Sequence, residues 1–192
     1  MPTPNPAALD FLLTRRSRPA KSLTAPVPGR EELETLLTAA ARTPDHGKLE
    51  PWRFLVLTRP ALDRLAAAVP ATGARLGQPE EAVAKMKTQF ADAHLAVAVV
   101  ASPKVSEKIP AIEQTLSAGA VCLALVNAAL AAGWGANWLT GWAVHDRRFA
   151  MEELGLAPGE FVAGVIHIGT ETAAPPDRPR PDLGRIVTWL EA

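Results

Sequence analysis

Arginine is the residue type whose placement in this chain could do chemistry. Arg15, Arg16 and Ser17 run together near the start, and Arg42 stands at the end of a predicted helix. Arg178 and Arg180 lie in a tail that also carries Pro175, Pro176, Pro179 and Pro181. A guanidinium keeps its charge when partly buried and binds phosphate oxygens in pairs. Arginines drawn from distant segments can therefore replace the glycine loop by which other nucleotide sites hold phosphate. The alternative is that they are solvated surface charges. Other chemistries lack their residues. There is no G-x-G-x-x-G pattern, because Gly133-Trp134-Gly135 is followed by Trp138 where the last glycine is needed. There is no P-loop and no G-x-S-x-G nucleophile turn. His46, His94, His145 and His167 have no histidine partner four residues away and no nearby cysteine, so no metal site is expected. Cys122, the only cysteine, falls inside an apolar run. Reactive thiols sit in polar, partly exposed surroundings, so Cys122 reads as core filler.

The whole chain bounds what these residues can serve. Its 192 residues favour one domain spanning 1–192, and 48% hydrophobic residues are enough for a real core. The formal net charge is zero, so nothing steers the chain to nucleic acid or to an anionic membrane surface. A single cysteine excludes an internal disulfide and fits a reducing cytoplasm. The first residues lack the basic-then-apolar layout of a signal peptide.

The elements that must position the arginines are organised around one stretch, Pro110 to Gly133. Proline suits the first helical turn, and glycine suits the residue after the last. Between them Ile112, Leu116, Leu123, Val126 and Leu130 recur at helical spacing, and from Ala118 to Ala132 the other faces are apolar too, apart from Asn127. A helix apolar all round is expected to be buried. Its wholly apolar part is shorter than the roughly 18 to 20 residues a bilayer needs, which predicts a core helix, with a second copy of the chain as a candidate for covering it. Shorter helices are predicted over Ala7 to Thr14, Glu31 to Arg42, Ala61 to Ala68 and Glu81 to Asp92, with a loop from Pro70 to Glu80. Strands are predicted at Arg53 to Thr58, His94 to Ser102 and Phe161 to Ile168. The first of these is apolar at four successive positions and is expected to be buried on both faces. Gly135 to Trp142 reads as a short strand or turn, Asp146 as the cap of a helix ending near Leu154, and Leu183 to Leu190 as a short helix or an extended arm. Few strands among many helices predict an α+β fold.

Three blocks together resemble the flavin-dependent nitroreductase family. They are Arg15-Arg16-Ser17, the run from Arg42 through Pro44-Asp45-His46 and Pro51-Trp52 to Phe54, and Gly133-Trp134-Gly135-Ala136-Asn137-Trp138. Their order and the Arg-Pro tail match as well. The Pro-Asp-His before Pro-Trp is similar to a branch of small bacterial NAD(P)H nitroreductases. The resemblance implies a nitroreductase-like fold, with a mostly antiparallel sheet flanked by helices and a long buried core helix. It implies a homodimer with FMN at the subunit interface, reduced by NAD(P)H and oxidised by nitroaromatic, quinone or similar electron-poor acceptors. Arg15, Arg16, Ser17 and Arg180 would then hold the ribityl phosphate. Arg42 and His46 would reach the flavin or its ribityl chain, and Trp138, Leu139 and Thr140 would line the ring. No catalytic side chain is implied, because FMN carries the hydride. Two rivals share this resemblance: an activated-alkene (enone) reductase on the same fold, and a flavin-binding protein without turnover, for storage or delivery. One departure concerns Leu139, where relatives of this branch carry a cation.

Overall fold

The computed structural model describes residues 3–191. Helix α1 spans Pro6–Thr14 and opens on Asn5, whose side chain accepts from the Ala8 N–H. After it the chain turns through Ala20–Ser22 into a two-residue strand, β1 (Leu23–Thr24). Helix α2 (Arg30–Ala40) buries Leu33, Leu36 and Ala40 at helical spacing, and carries Glu31 and Glu32 in its first turn, where the helix dipole favours them. Strand β2 (Trp52–Leu57), helices α3 (Arg59–Arg75) and α4 (Glu80–Ala91), and strand β3 (Ala96–Ala101) follow. The long helix α5 (Ala111–Ala131) leads into strand β4 (Gly135–Leu139). Helices α6 (Trp142–His145) and α7 (Arg147–Leu154), strand β5 (Phe161–Glu171) and a single turn, α8 (Leu183–Ile186), complete the chain.

All strand pairs are antiparallel. The order is β1-β5-β3-β2, with β4 also paired to β5. Strand β3 is central and every residue in it is buried, as its Val/Ala run predicts. Two apolar layers cover the sheet. One holds Leu62, Leu65, Val69 and Phe90 of α3 and α4 with Phe149 of α7. The other packs Leu33 and Leu36 of α2 and Val121, Cys122, Leu125 and Val126 of α5 against Val97, Val99, Ile166 and Ile168. Asp146 caps α7 as expected, its carboxylate accepting from the Phe149 N–H at 2.9 Å.

Four expectations change. Helix α3 runs to Arg75 with Pro70 inside it, where a loop was predicted. Pro70 is exposed, while Val69, Thr72 and Gly73 around it are buried. That packing offsets the roughly 3 kcal/mol an interior proline costs. Strand β5 continues through Gly169 to Glu171, because Gly169 pairs with Gly135 and the last two residues pair with β1. Strand β2 pairs only with β3, so it is an edge strand and Val56 stays exposed. Helix α5 is buried on one side only. Ala118, Val121, Cys122, Leu125 and Ala129 face the core, while Ile112 (62%), Leu116 (65%) and Leu123 (46%) remain exposed in a line along the opposite face. By length and composition α5 is also the one described helix apolar enough to cross a membrane, but its buried side is packed on α2 and the sheet.

Candidate functional site

The first cluster of predicted site residues lies at the C-terminal end of α5. The segment Arg15 to Arg18 leaves α1 and is stitched to β4 by the Arg18 N–H, which donates to the Ala136 carbonyl at 2.8 Å. This brings Arg15, Arg16 and Arg18 around a recess of about 290 Å³ closed by Phe11, Leu130, Gly133, Trp134 and Glu171. The tail returns Arg180 to the same place. Arg15 sits below the ordinary arginine value, first through burial and then through the positive charges of Arg180 and Arg18. Like charges gathered this way repel, so the arrangement is one that an anion would relieve. The donor inventory agrees. Arg15 spends one Nη2 hydrogen bond on Ser17 Oγ at 3.1 Å, and Arg18 is paired with Glu171 at 2.9 Å. Arg15 Nε and Arg16 Nη1 are buried and have no partner among the described residues. Buried donors of full positive charge without acceptors are costly, and a phosphate supplies what they lack. The residues present therefore fit the phosphate of a nucleotide-like cofactor.

Strand β4 carries the next predicted positions away from this cluster. Trp138 lies against α5 and β5. A Cβ on Gly164 would stand 2.2 Å from Trp138 Nε1 and 2.9 Å from Cys122 Sγ, so only glycine lets the indole lie there. Successive strand residues point to opposite faces, so Leu139 is turned from Trp138 and is half-buried. Thr140, with Gly141 and Trp142, lines a second recess of about 290 Å³ closed by Lys85, Met86 and Gln89 of α4. Burial pushes the Cys122 thiol up to about 12, which makes it inert as a nucleophile.

Arg42 and His46 lie elsewhere. His46 Nδ1 is bonded to Glu113 Oε2 at 2.7 Å in the first turn of α5, and Arg42 is exposed just past α2. Glu113 and Leu130 stand about 25 Å apart along α5 at roughly 1.5 Å per residue. One chain therefore holds the arginine cluster at one end of the helix and the His46 loop at the other.

The loop that carries His46 is firmly held. Ser117 of α5 donates to the Pro44 carbonyl at 3.0 Å and accepts from Trp52 Nε1 at 3.2 Å. Asp45 accepts from the Glu50 N–H at 2.8 Å. Gly47, Lys48 and Glu50 take left-handed φ values of 73°, 54° and 46°. Two of these are not glycine, a strained arrangement of the kind that gathers at functional sites. A side chain at Gly47 would strike Ile109 at 2.5 Å.

The sequence missed Arg18, Glu171 and Glu113. Arg18 was within reach, since it adjoins the Arg-Arg-Ser block. Glu171 and Glu113 carry no local signal, because each matters only through a partner distant in sequence.

A family model described as "Nitroreductase family" matches residues 12–170, which leaves Arg180 outside the match. "Putative NAD(P)H nitroreductase YdjA" of Escherichia coli (strain K12) is 32% identical over 163 residues, 85% of this chain and 87% of that one. "Putative NAD(P)H nitroreductase" of Haemophilus influenzae is 36% identical over 165 residues, 85% of this chain and 88% of that one. Among solved structures, a nitroreductase-like family protein from Bacillus cereus superposes with a TM-score of 0.79 at 21% identity, covering 100% of both chains. A structure titled as a putative nitroreductase in complex with FMN, from Desulfovibrio desulfuricans, gives a TM-score of 0.71 at 22% identity, covering 98% of this chain and 99% of that one. These two structures share the fold.

Proposed function

The chain belongs to the nitroreductase family of oxidoreductases, and from that premise we propose that it is an FMN-dependent enzyme passing hydride from NAD(P)H to nitroaromatic, quinone or related electron-poor acceptors. The observation that supports this reading most is the set of unpartnered buried donors on Arg15 and Arg16, in a cluster made like-charged by Arg18 and Arg180. When bound, FMN supplies two-electron hydride chemistry that no side chain offers.

The protein's own part is to hold and orient. Arg15, Arg16 and Arg180 hold the phosphate, and Ser17, which accepts from Arg15, fixes that guanidinium. Trp138, Leu139 and Thr140 line the ring along the edge strand β4, and Trp138 excludes water from the face over Gly164. Glu171 pairs with Arg18 at 2.9 Å and Asp177 with Arg180 at 3.5 Å, so Arg15 and Arg16 carry the charge that is least compensated before the ligand arrives.

The working form is read as a homodimer in which Arg42 and His46 reach the site of the other subunit. Support comes from the exposed stripe Ile112, Leu116 and Leu123 on α5, and from the placement of the two clusters at opposite ends of that helix. Residues 1–192 are read as one domain, acting in the cytoplasm.

Purification tests the reading. The protein should be yellow, and NAD(P)H should bleach it under anaerobic conditions. A yellow protein that is not bleached would be a flavin-binding protein without turnover. Turnover of enones in preference to nitroaromatics would make it an activated-alkene reductase. A colourless protein that takes up no FMN would refute the assignment.

A further inference from the structure

We propose that the recess between α4 and the turn after β4 is where the acceptor binds. Gln89 donates to its nitro or carbonyl oxygen, and Lys85 draws in acceptors that carry a carboxylate. The inference rests on the FMN-dependent reading above and names the place and the substrate class which that reading leaves open.

Strand β4 has a recess at each end. Gly133 and Trp134, just before it, line the arginine recess, and Thr140, just after it, lines the other. From Gly135 to Leu139 the strand spans about 13 Å at roughly 3.3 Å per residue. With the phosphate at the first recess, the second adjoins the ring-lining residues and stands clear of the arginines.

One face of α4 builds the far wall. Ala82, Lys85, Met86 and Gln89 recur at three, four and seven residues, so they stand in a row. The turn at 140–142 is pressed onto that row. A side chain on Gly141 would strike Met86 Sδ at 2.6 Å and come within 3.8 Å of Gln89 Oε1. The enclosed volume of about 290 Å³ is at the small end of ligand pockets, room for one or two aromatic rings and not for a dinucleotide.

The lining matches such a ring. Ala82, Met86 and Trp142 are apolar; methionine adapts to irregular outlines, and the electron-rich face of an indole favours an electron-poor ring. Gln89 Nε2 is buried with no acceptor among the described residues. An amide donor left this way costs free energy until an oxygen meets it. Nitro and quinone oxygens only accept, so they complement it. Lys85, exposed one turn away, carries only donors and the recess's single charge, and no acidic residue lines the recess. The larger groove between α2 and β2, about 600 Å³, lies across the sheet, with β3 and β5 between it and β4. None of its lining residues has an unpartnered buried donor among the described residues.

The test uses the full-length, flavin-loaded protein and compares nitrobenzene with 4-nitrobenzoate. Gln89→Leu should lower kcat/KM for both about 5-fold, the worth of one neutral hydrogen bond. Gln89→Glu, which keeps the shape and loses the donor, should lower nitrobenzene turnover likewise, so a packing fault in the leucine variant does not decide the matter. Lys85→Gln should lower kcat/KM about 3-fold for 4-nitrobenzoate alone, an effect that fades at high salt. Ala82→Leu narrows the recess and should penalise menadione, with two rings, more than benzoquinone. Two readouts need no turnover. The Kd of FMN should be the same in all four variants, and benzoate, which cannot be reduced, should bind more weakly to Gln89→Leu and Lys85→Gln when followed by the flavin spectrum. Unchanged kcat/KM and unchanged benzoate binding in the Gln89 and Lys85 variants, beside a wild type that NAD(P)H bleaches normally, overturn the acceptor subsite alone. A raised FMN Kd in those variants assigns the recess to the cofactor and overturns it too. A wild type that takes up no FMN, or is not bleached, overturns the underlying function as well.

Discussion

Arg15→Met should weaken FMN binding without weakening the empty protein. The substitution keeps the apolar stem and removes the charge. In the flavin-free chain Arg15 is a cost: burial and the charges of Arg180 and Arg18 all disfavour its ionised form, and its Nε is buried with no acceptor. Removing it relieves repulsion and abolishes an unsatisfied donor at once, so thermal stability of the apo-protein should hold or rise. The bound state moves the other way. A charge-assisted hydrogen bond contributes about 1.5–3 kcal/mol, and Arg15 loses at least one. A value near 2 kcal/mol corresponds to a roughly 30-fold higher Kd. Riboflavin, which has the same ring and no phosphate, controls for everything except the anion. Fluorescence titration of both ligands into wild type and variant gives the ratio of their affinities. The wild type should prefer FMN strongly, and the variant should lose about 30-fold of that preference while riboflavin affinity stays level. If the FMN-to-riboflavin ratio is unchanged in Arg15→Met, and again in Arg16→Ala, the cluster does not hold the phosphate. If the apo-protein is instead clearly destabilised, the repulsion argument is wrong even when binding falls.

Four further outcomes follow from particular contacts. Burial pushes His167 down to about 4 from 6.5, so its neutral ring favours the folded state above pH 6.5 and that contribution is lost as pH falls toward 4; wild type should lose about 2 kcal/mol between pH 7 and 5 that His167→Leu does not, by denaturant titration at both values. The paired hydrogen bonds from Arg53 hold Glu160 at about 2, so Glu160→Gln should cost about 1–2 kcal/mol at neutral pH, discounted for the partly exposed guanidinium, and the difference should vanish as pH drops from about 4.5 toward 2 in calorimetry. Leu116→Asp puts a charge on the exposed stripe of α5 and should yield a monomer that has lost FMN; sedimentation showing a monomer that keeps its flavin argues against an interfacial site. Leu139→Arg restores a cation beside the proposed ring position and should raise the flavin potential and favour carboxylated nitroaromatics, whereas an unchanged potential in a folded, flavin-loaded variant means that residue 139 does not face the ring.

The sequence by itself determined what is local. The turns around α5, the Asp146 cap of α7, the amphipathic spacing of α2 and the Val/Ala run of β3 each depend on residues within a few positions of one another, and each is where the pattern put it. The arginine blocks were legible too, because a charge type that suits phosphate shows in composition and order. What only the tertiary structure decided depends on partners distant in the chain. Pro70 reads as a breaker until the burial of Val69 and Thr72 outweighs it. Gly169 reads as a strand end until Gly135 pairs with it. Strand β2 reads as doubly buried, yet whether a strand is central or at an edge is a property of the sheet and not of its own residues. The same holds for the site. Sequence order sets Arg15 and His46 in one list of candidates, but folding sends them to opposite ends of α5. Hydrophobicity drives burial without direction, so the pattern of α5 called for a cover on every face. The fold covers one face with its own sheet and leaves Ile112, Leu116 and Leu123 for something else.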